Sequence, residues 1–291
     1  MTPFETALAR SRTYGLIAEV LLEGWTPRAL SVVEGLPWSA SIPREEDRRA
    51  ARHQRVFGRG VPPYESVFRS ADGLLGGPIA GAVRAAYDRM GFRLARTDVE
   101  PDHAGLQCAA LSFLCGAEAD ARRDGVAHDR FATLQLEFLR GHLGVWVDLL
   151  HTAVSRQGVA EMAELTGLLV DLVHEHAGPQ GLPDADGPTE DLLSDPSTGL
   201  KDVAAYLLVP ARCGMWLGTD DIQRVAERAG LACGFGRRVQ MMESLLFSAV
   251  DHEALPALVA SLGVELDAWD SGSARSESTR AMLGRLARGE G

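Results

Sequence analysis

Apolar residues recur every three or four positions through most of this sequence, and that spacing is typical of amphipathic helices. From Phe131 to Leu150, and again from Val159 to Val173, the apolar side chains fall on one broad stripe of a helix. We find no run of alternating apolar and polar residues bounded by turn residues, the pattern that indicates a half-buried β-strand. The 291 residues therefore predict an all-α protein with a sizeable hydrophobic core.

Local signals predict where several helices begin and end. Thr26 followed by Pro27 is a helix start, with a capping hydroxyl and proline in the first turn. Gly91 is positioned to end a helix in a left-handed conformation. Pro101 is expected to begin another helix, with Asp102 in its first turn facing the positive end of the helix dipole.

The stripe from Phe131 to Leu150 predicts one long continuous helix. His142 and Trp146 are four residues apart on it, so their rings are expected to share a face. A partly buried core histidine is one interpretation of His142. The other is a pocket that faces a binding partner.

Composition divides the chain into four predicted parts. Residues 1–177 are expected to form a helical domain, and residues 178–199 an acidic linker or loop rich in proline and glycine. Residues 200–270 are expected to form a helical C-terminal extension. Residues 271–291 are a tail rich in serine and arginine, for which we expect only a frayed terminal helix.

Charge and composition exclude several classes of protein. The net charge is −11 and Lys201 is the only lysine, whereas nucleic-acid binding requires a basic surface. No apolar stretch is long enough to predict a membrane span, and Met1 to Glu23 lacks the pattern of a secretory signal. We therefore expect a cytoplasmic protein that binds no nucleic acid.

The sequence predicts neither a metal site nor a cofactor. Its four cysteines show no CxxC spacing, and Cys108 and Cys115 are expected to be small buried residues. His174 and His176 are two residues apart on a helix, so they point to different faces and do not chelate one ion. The sequence lacks hydrolase, metalloprotease and phosphate-loop motifs, and the glycine-rich segment from Gly73 to Gly81 is interpreted as a turn.

Two unusual segments suggest a binding surface. In the first, PPYESVF, two prolines hold an extended backbone ahead of Tyr64, an amphipathic ring suited to interfaces. In the second, EPDH, the carboxylates of Glu100 and Asp102 stand beside the imidazole of His103 at the predicted loop-to-helix junction. From the residue types alone, the favoured interpretation is that these carboxylates are helix caps and nothing more.

These segments resemble a known family. PPYESVF, YDRMGFRL, EPDH and FLRGHLGVW, in this order and at this spacing, are similar to motifs of the TorD/DmsD/NarJ family of chaperones for molybdenum-cofactor oxidoreductases, including those of the dimethyl sulfoxide reductase family. The resemblance covers about residues 4 to 177. Two details depart from the family pattern, because Gly144 and Val145 stand where a proline is often found and Leu106 begins an unusual continuation of the EPDH helix.

The resemblance implies a non-catalytic protein with an all-helical fold and no cofactor of its own. Its partner is implied to be the apo catalytic subunit of a molybdopterin-dependent oxidoreductase, recognised by its twin-arginine signal peptide or N-terminal region, and the chaperone is implied to be a monomer or homodimer. Carried over by position, the peptide-binding residues are Tyr14, Tyr64, Ser66, Glu100, Pro101, Asp102, His103, His142 and Trp146, with Phe68 packing beneath them.

Two alternatives remain open at this stage. The chain could be a structural adaptor or assembly subunit of a redox complex, with the C-terminal helices as an interface. It could also be an enzyme that uses His103 with Glu100 or Asp102 as an acid–base pair, although no nucleophile or metal set accompanies them in the sequence.

Overall fold

The computed structural model describes residues 1–94, 96–183, 191–269 and 274–289. Over these ranges the protein is helical and contains no β-strand, which confirms the predicted all-α fold. The helices are α1 (Pro3–Glu23), α2 (Pro27–Val33), α3 (Glu46–His53), α4 (Glu65–Arg69), α5 (Gly77–Met90), α6 (Ala104–Arg123), α7 (Asp129–Gly141), α8 (Val147–Ser155), α9 (Ala160–Ala177), α10 (Leu200–Leu207), α11 (Pro210–Cys213), α12 (Thr219–Arg228), α13 (Arg238–Asp251), α14 (Leu255–Asp267) and α15 (Ala274–Ala287). None of these helices is both long and apolar enough to cross a bilayer.

The chain folds into two compact units. The first comprises Met1–Val67 and Leu74–Ala185, and the second comprises Phe68–Gly73 and Asp186–Gly291. Phe68, which the resemblance places beneath the aromatic segment, is fully buried. Its ring lies 5.6 Å from that of Trp216 in the second unit. Much of the predicted linker, residues 184–190, lies outside the described residues.

The first unit is built on the packing of α1 against α6. Ser11 and Ser112 each donate a side-chain hydrogen bond of 2.8 Å to the other's carbonyl, so the two backbones lie close together. Glycine permits this approach, since a β-carbon on Gly15 would lie 3.0 Å from Ser112 Oγ and one on Gly105 only 2.7 Å from Leu22 Cγ. These contacts show that α1 and α6 run antiparallel, with the EPDH segment leading directly into α6.

Local signals predicted several helix ends correctly. The hydroxyl of Thr26 accepts from Ala29 N (3.1 Å) at the start of α2, and Gly91 ends α5 in the left-handed conformation. The predicted start at Pro101 was wrong. α6 begins at Ala104 with His103 as its N-cap, so Asp102 precedes the helix and is free to bond to other parts of the chain.

The predicted long helix from Phe131 to Leu150 is two helices. α7 ends at Gly141, His142 leaves the helical conformation (φ −132°, ψ −100°), and α8 begins at Val147 after a short 3₁₀ turn. Gly144 explains why the chain can turn here, because a β-carbon would lie 2.6 Å from the carbonyl oxygen of Leu139. His142 therefore lies at a break between two helices and not on one helix with Trp146.

The second unit contains α10 to α15. The expectation of a frayed terminal helix was wrong, because Met282, Leu283 and Leu286 of α15 are buried. The hydroxyls of Tyr206 in α10 and Thr279 in α15 lie 3.0 Å apart, which ties the terminal helix to the rest of this unit. Although the segment is polar in composition, burial of its apolar residues against the rest of the unit stabilises α15 as a helix.

Candidate functional site

The PPYESVF and EPDH segments lie side by side in the first unit. Tyr64 and His103 form an isolated antiparallel bridge, and the amide of Glu65 donates to the carbonyl of Asp102 (3.1 Å). The rings of Tyr64 and His103 meet edge to face with their centroids 4.9 Å apart. Residues far apart in sequence are thus held together by their backbones, before any side chain of the site is considered.

A buried hydrogen-bond network connects this bridge to the break between α7 and α8. Gln107 donates its amide NH₂ to Glu65 Oε2 (2.5 Å) and accepts from the indole Nε1 of Trp146 (3.2 Å). His142 Nδ1 lies 3.3 Å from the other carboxylate oxygen, Oε1, of Glu65. This orientation of the Gln107 amide satisfies both partners, since a flipped amide would turn its carbonyl toward a carboxylate. Glu65, Gln107 and Trp146 are almost fully buried. The network therefore fixes the relative positions of α4, α6, the start of α8 and the break that precedes it.

Asp102 is fully buried beside the network. Its Oδ2 accepts from the amide of Ser66 (2.8 Å), and the hydroxyl of Ser66 in turn accepts from the amide of Gly76 (2.9 Å). Burial raises the pKa of Asp102, and the hydrogen bonds from Ser66 partly oppose that rise. Asp102 Oδ1 is buried and has no hydrogen-bond partner among the described residues. Asp102 and Ser66 thus fix the loop ahead of α5 to the EPDH segment.

Pro101 and His103 are buried on either side of Asp102. The carbonyl of Pro101 accepts from the hydroxyl of Tyr87 (2.8 Å). His103 Nδ1 accepts from the amide of Gly105 (3.0 Å) and so caps α6. Burial lowers the pKa of His103 to about 3, so the ring is neutral at pH 7 and can act as a cap acceptor.

Tyr14 belongs to a second buried network. Its hydroxyl lies 3.2 Å from His176 Nδ1, His176 Nε2 lies 2.9 Å from the amide oxygen of Gln135, and the amide NH₂ of Gln135 donates to Glu118 Oε2 (3.0 Å). Since Gln135 accepts through its oxygen, His176 donates from Nε2 and accepts the Tyr14 hydroxyl proton at Nδ1. Tyr14 is fully buried and joins α1 to α9 in this way. His174, two residues away, points outward to Asp148 as its spacing predicted.

The two buried neutral histidines predict how stability depends on pH. Burial lowers the pKa of both His103 and His176 to about 3 in the folded protein, against an ordinary value of 6.5. The unfolded chain therefore binds more protons between pH 6.5 and 3, and the folded state loses stability as the pH falls through this range. We expect a loss of about 1.4 kcal/mol per pH unit for each histidine well below pH 6.5.

Urea unfolding at several pH values between 7 and 4 measures this slope. The variant His176→Gln should be less stable at pH 7 because its buried network is altered, yet its stability should fall less steeply with decreasing pH. If the unfolding free energies of the variant and the wild type depended equally on pH, this would contradict the conclusion that the buried His176 ring stays unprotonated in the folded protein.

Three of the residues implied by the resemblance reach the surface. Glu100 is exposed, while Tyr64 and His142 are partly exposed. The pKa of Tyr64 is raised by burial and by the neighbouring carboxylates of Asp102 and Glu100. The surface beside Tyr64 is therefore acidic as well as aromatic.

The structure adds two residues that the sequence did not single out. Leu74 and Leu75 are 66% and 53% exposed, directly before Gly76. A β-carbon on Gly76 would lie 3.9 Å from Glu100 Cδ, so the backbone that follows the leucines passes beside this carboxylate. Their position within a glycine-rich segment was the available signal, because exposed leucines flanked by glycines are unusual in a simple turn. We call the surface formed by Tyr64, Leu74, Leu75, Glu100 and His142 the Tyr64 edge.

The site carries no arrangement typical of metal or thiol chemistry in the described part of the chain. No group of three or more histidine, cysteine, aspartate or glutamate side chains there is arranged to hold a metal ion. Cys108 and Cys115 are buried as predicted, and burial raises the pKa of the Cys115 thiol to about 12. Both thiols are therefore protonated and serve as core side chains.

Comparison with known proteins identifies one family. Residues 39–152 match the family model described as nitrate reductase delta subunit. The matched segment contains PPYESVF, EPDH and FLRGHLGVW, and it includes every residue of the Tyr64 edge. No curated protein and no solved structure gives a significant match.

Proposed function

We propose that this protein, whose residues 39–152 match the nitrate reductase delta subunit family model, is a chaperone for the catalytic subunit of a molybdopterin-dependent oxidoreductase. The family is one of assembly factors and not of catalysts. In this proposal the chaperone acts in the cytoplasm, binds the twin-arginine signal peptide or N-terminal region of the client, assists cofactor insertion and prevents premature export.

The Tyr64 edge is the observation that carries this proposal. It combines the exposed carboxylate of Glu100 with the apolar surface of Leu74, Leu75 and the Tyr64 ring. A twin-arginine signal presents guanidinium groups followed by an apolar stretch. Guanidinium groups bind carboxylates through charge-assisted hydrogen bonds, and an apolar stretch gains free energy by covering exposed leucines.

The buried residues of the motifs take a supporting role in this proposal. Asp102 and Trp146 are too deeply buried to touch a peptide in this conformation. They fix the positions of Ser66 and Gln107, and through these the bridge that holds Tyr64. A rigid support of this kind lowers the entropy cost of binding at the surface above it.

The net charge supports the same partner. At −11, the chain attracts a basic segment over distances of several ångströms, and this attraction speeds association. An adaptor that stays in an assembled redox complex would instead need a large apolar interface. The exposed apolar residues of the Tyr64 edge form a small patch, which fits a transient peptide contact better.

Peptide binding tests the proposal. We expect a synthetic peptide with two adjacent arginines followed by an apolar stretch to bind the full-length protein saturably, and more weakly as salt is added. The double variant Leu75→Ser with Glu100→Gln should lower the affinity about tenfold, because it removes one apolar contact and one exposed ion pair. Isothermal titration calorimetry measures both effects.

A matched variant controls for changes in charge and surface polarity. Val126→Ser with Glu137→Gln removes one exposed apolar residue and one exposed carboxylate from other positions of the first unit. Its affinity for the peptide should stay within about twofold of the wild type. Undetectable binding to the wild-type protein at high micromolar peptide would overturn signal-peptide recognition.

A further inference from the structure

A groove outside the Tyr64 edge lies on the first unit, between α8, α9 and the turn that carries Trp38. Its volume is about 510 Å³, and its lining includes Trp38, His151, Glu164, Gly167 and Asp171. This volume is within the range of peptide and small-ligand sites. None of these five residues belongs to the motifs described above, and all but His151 lie outside the segment that matches the family.

The α9 wall of the groove has a carboxylate at each end. Glu164 and Asp171 are seven residues apart, which places them on one face of the helix about 10 Å apart along its axis. Both side chains are exposed. Within the described ranges, neither carboxylate has a hydrogen-bond or ion-pair partner, whereas the nearby Asp148 is paired with His174 (3.1 Å). The groove therefore offers two uncompensated negative charges at a fixed separation.

The middle of the groove is small and open. Gly167 has no side chain, and a β-carbon there would lie 3.3 Å from His151 Cε1. The hydroxyl of Thr166 donates to the carbonyl of Met162 (3.0 Å), so it accepts at 3.0 Å from His151 Nδ1. His151 Nδ1 therefore carries the proton of this hydrogen bond. A peptide backbone or a basic group can approach this floor closely.

Trp38 lines the groove beside α9. Its ring is partly exposed and contacts that of Trp25, with the ring centroids 5.9 Å apart and the planes at 51°. An accessible indole is the preferred aromatic partner of a guanidinium group. The groove thus pairs an aromatic wall with an acidic one.

We infer that this groove is a second peptide-binding site, which takes two adjacent arginines of an extended basic segment of the client. Successive side chains of an extended peptide point to opposite sides, so two consecutive arginines reach in opposite directions toward Glu164 and Asp171. Their backbone crosses at Gly167, and one guanidinium group packs on Trp38. The inference rests on the proposed function for the source of the peptide.

Charge complementarity selects this occupant over others. Two uncompensated carboxylates repel acidic peptides and phosphate groups. A wholly apolar segment would leave both carboxylates without partners while it removed them from water, at a cost in free energy. A pair of guanidinium groups satisfies both carboxylates and also uses the indole.

Two double variants distinguish peptide binding at this groove from the general electrostatic attraction of the negatively charged protein. Glu164→Gln with Asp171→Asn removes the two groove charges. Asp148→Asn with Glu175→Gln removes two exposed carboxylates of α8 and α9 that do not line the groove. We expect the groove variant to bind the diarginine peptide about tenfold more weakly than the wild type, and the control variant to stay within about twofold.

Tryptophan fluorescence locates the contact. The other four tryptophans are buried, so an intensity change on peptide binding reports mainly on Trp38, and Trp38→Phe should abolish it. A peptide in which one arginine is replaced by glutamine should bind the wild type more weakly but lose little further affinity for the groove variant.

The outcomes separate the two hypotheses. If the wild type binds the peptide and Leu75→Ser with Glu100→Gln weakens binding, but the groove variant behaves like its control, the groove inference is overturned and the proposed function stands. If the wild type does not bind the peptide, the proposed function fails and the groove inference fails with it. If the wild type binds two peptides and each variant loses one of them, both sites are supported.

Discussion

Trp146→Ala is expected to lower the free energy of unfolding by about 3–5 kcal/mol, among the largest effects of any single substitution in the first unit. The indole is 1% exposed, so its removal leaves a cavity in a packed interior. It also removes the Nε1 donor to Gln107 Oε1 (3.2 Å), which leaves a buried carbonyl with one partner fewer. Urea unfolding followed by circular dichroism measures the loss.

The same substitution at Trp38 is the natural control. That ring is partly exposed, so Trp38→Ala should cost clearly less stability. Trp146→Phe keeps most of the volume and loses the hydrogen bond, and its effect should lie between the two. A loss below about 1 kcal/mol for Trp146→Ala would contradict the buried network as a determinant of the fold.

Arg52→Ala is expected to destabilise the first unit by about 3 kcal/mol, through a different mechanism. Arg52 Nη1 donates to both carboxylate oxygens of Glu161, at 3.0 and 2.9 Å. Glu161 is fully buried, whereas the Arg52 side chain is 32% exposed. Removing the arginine leaves a buried carboxylate without its cation, and the partial exposure of the site places the expected cost at the low end of the usual range.

A double variant distinguishes two causes of this destabilisation, the unpaired buried charge and the lost packing of the arginine side chain. Arg52→Met with Glu161→Met removes both charges and keeps apolar volume, so it should recover most of the stability lost in Arg52→Ala. Unfolding curves for both variants would be compared with that of the wild type. A double variant as unstable as Arg52→Ala would show that packing by the arginine stem, and not the unpaired charge, accounts for the loss.

Much of the local structure could be predicted from the sequence because it depends on neighbouring residues. The apolar spacing of three and four residues predicted the helices, and the hydroxyl of Thr26 and the glycine at 91 predicted their ends. The prediction failed where a local signal competed with a distant contact. Pro101 resembles a helix start, but its carbonyl bonds to Tyr87, and the chain bridges to Tyr64 before α6 begins.

The burial of the motif residues could not be predicted in the same way. The EPDH carboxylates were expected to face a peptide, and the structure leaves only Glu100 exposed while Asp102 is fully enclosed. The exposed leucines beside Glu100 were interpreted as part of a turn. Exposure depends on which segments cover a residue, and no pattern within four residues contains that information.

The sequence by itself determined that the chain is helical, where most helices lie, and that its motifs resemble those of molybdoenzyme chaperones, because these properties follow from residue spacing and from short contiguous segments. Only the tertiary structure decided that Glu65 bonds to Gln107, 42 residues away, and that Tyr14 meets His176, 162 residues away. It also decided that α7 and α8 separate at His142, where Gly144 approaches a helix carbonyl. These features depend on contacts between distant segments, which exist only once the helices have packed.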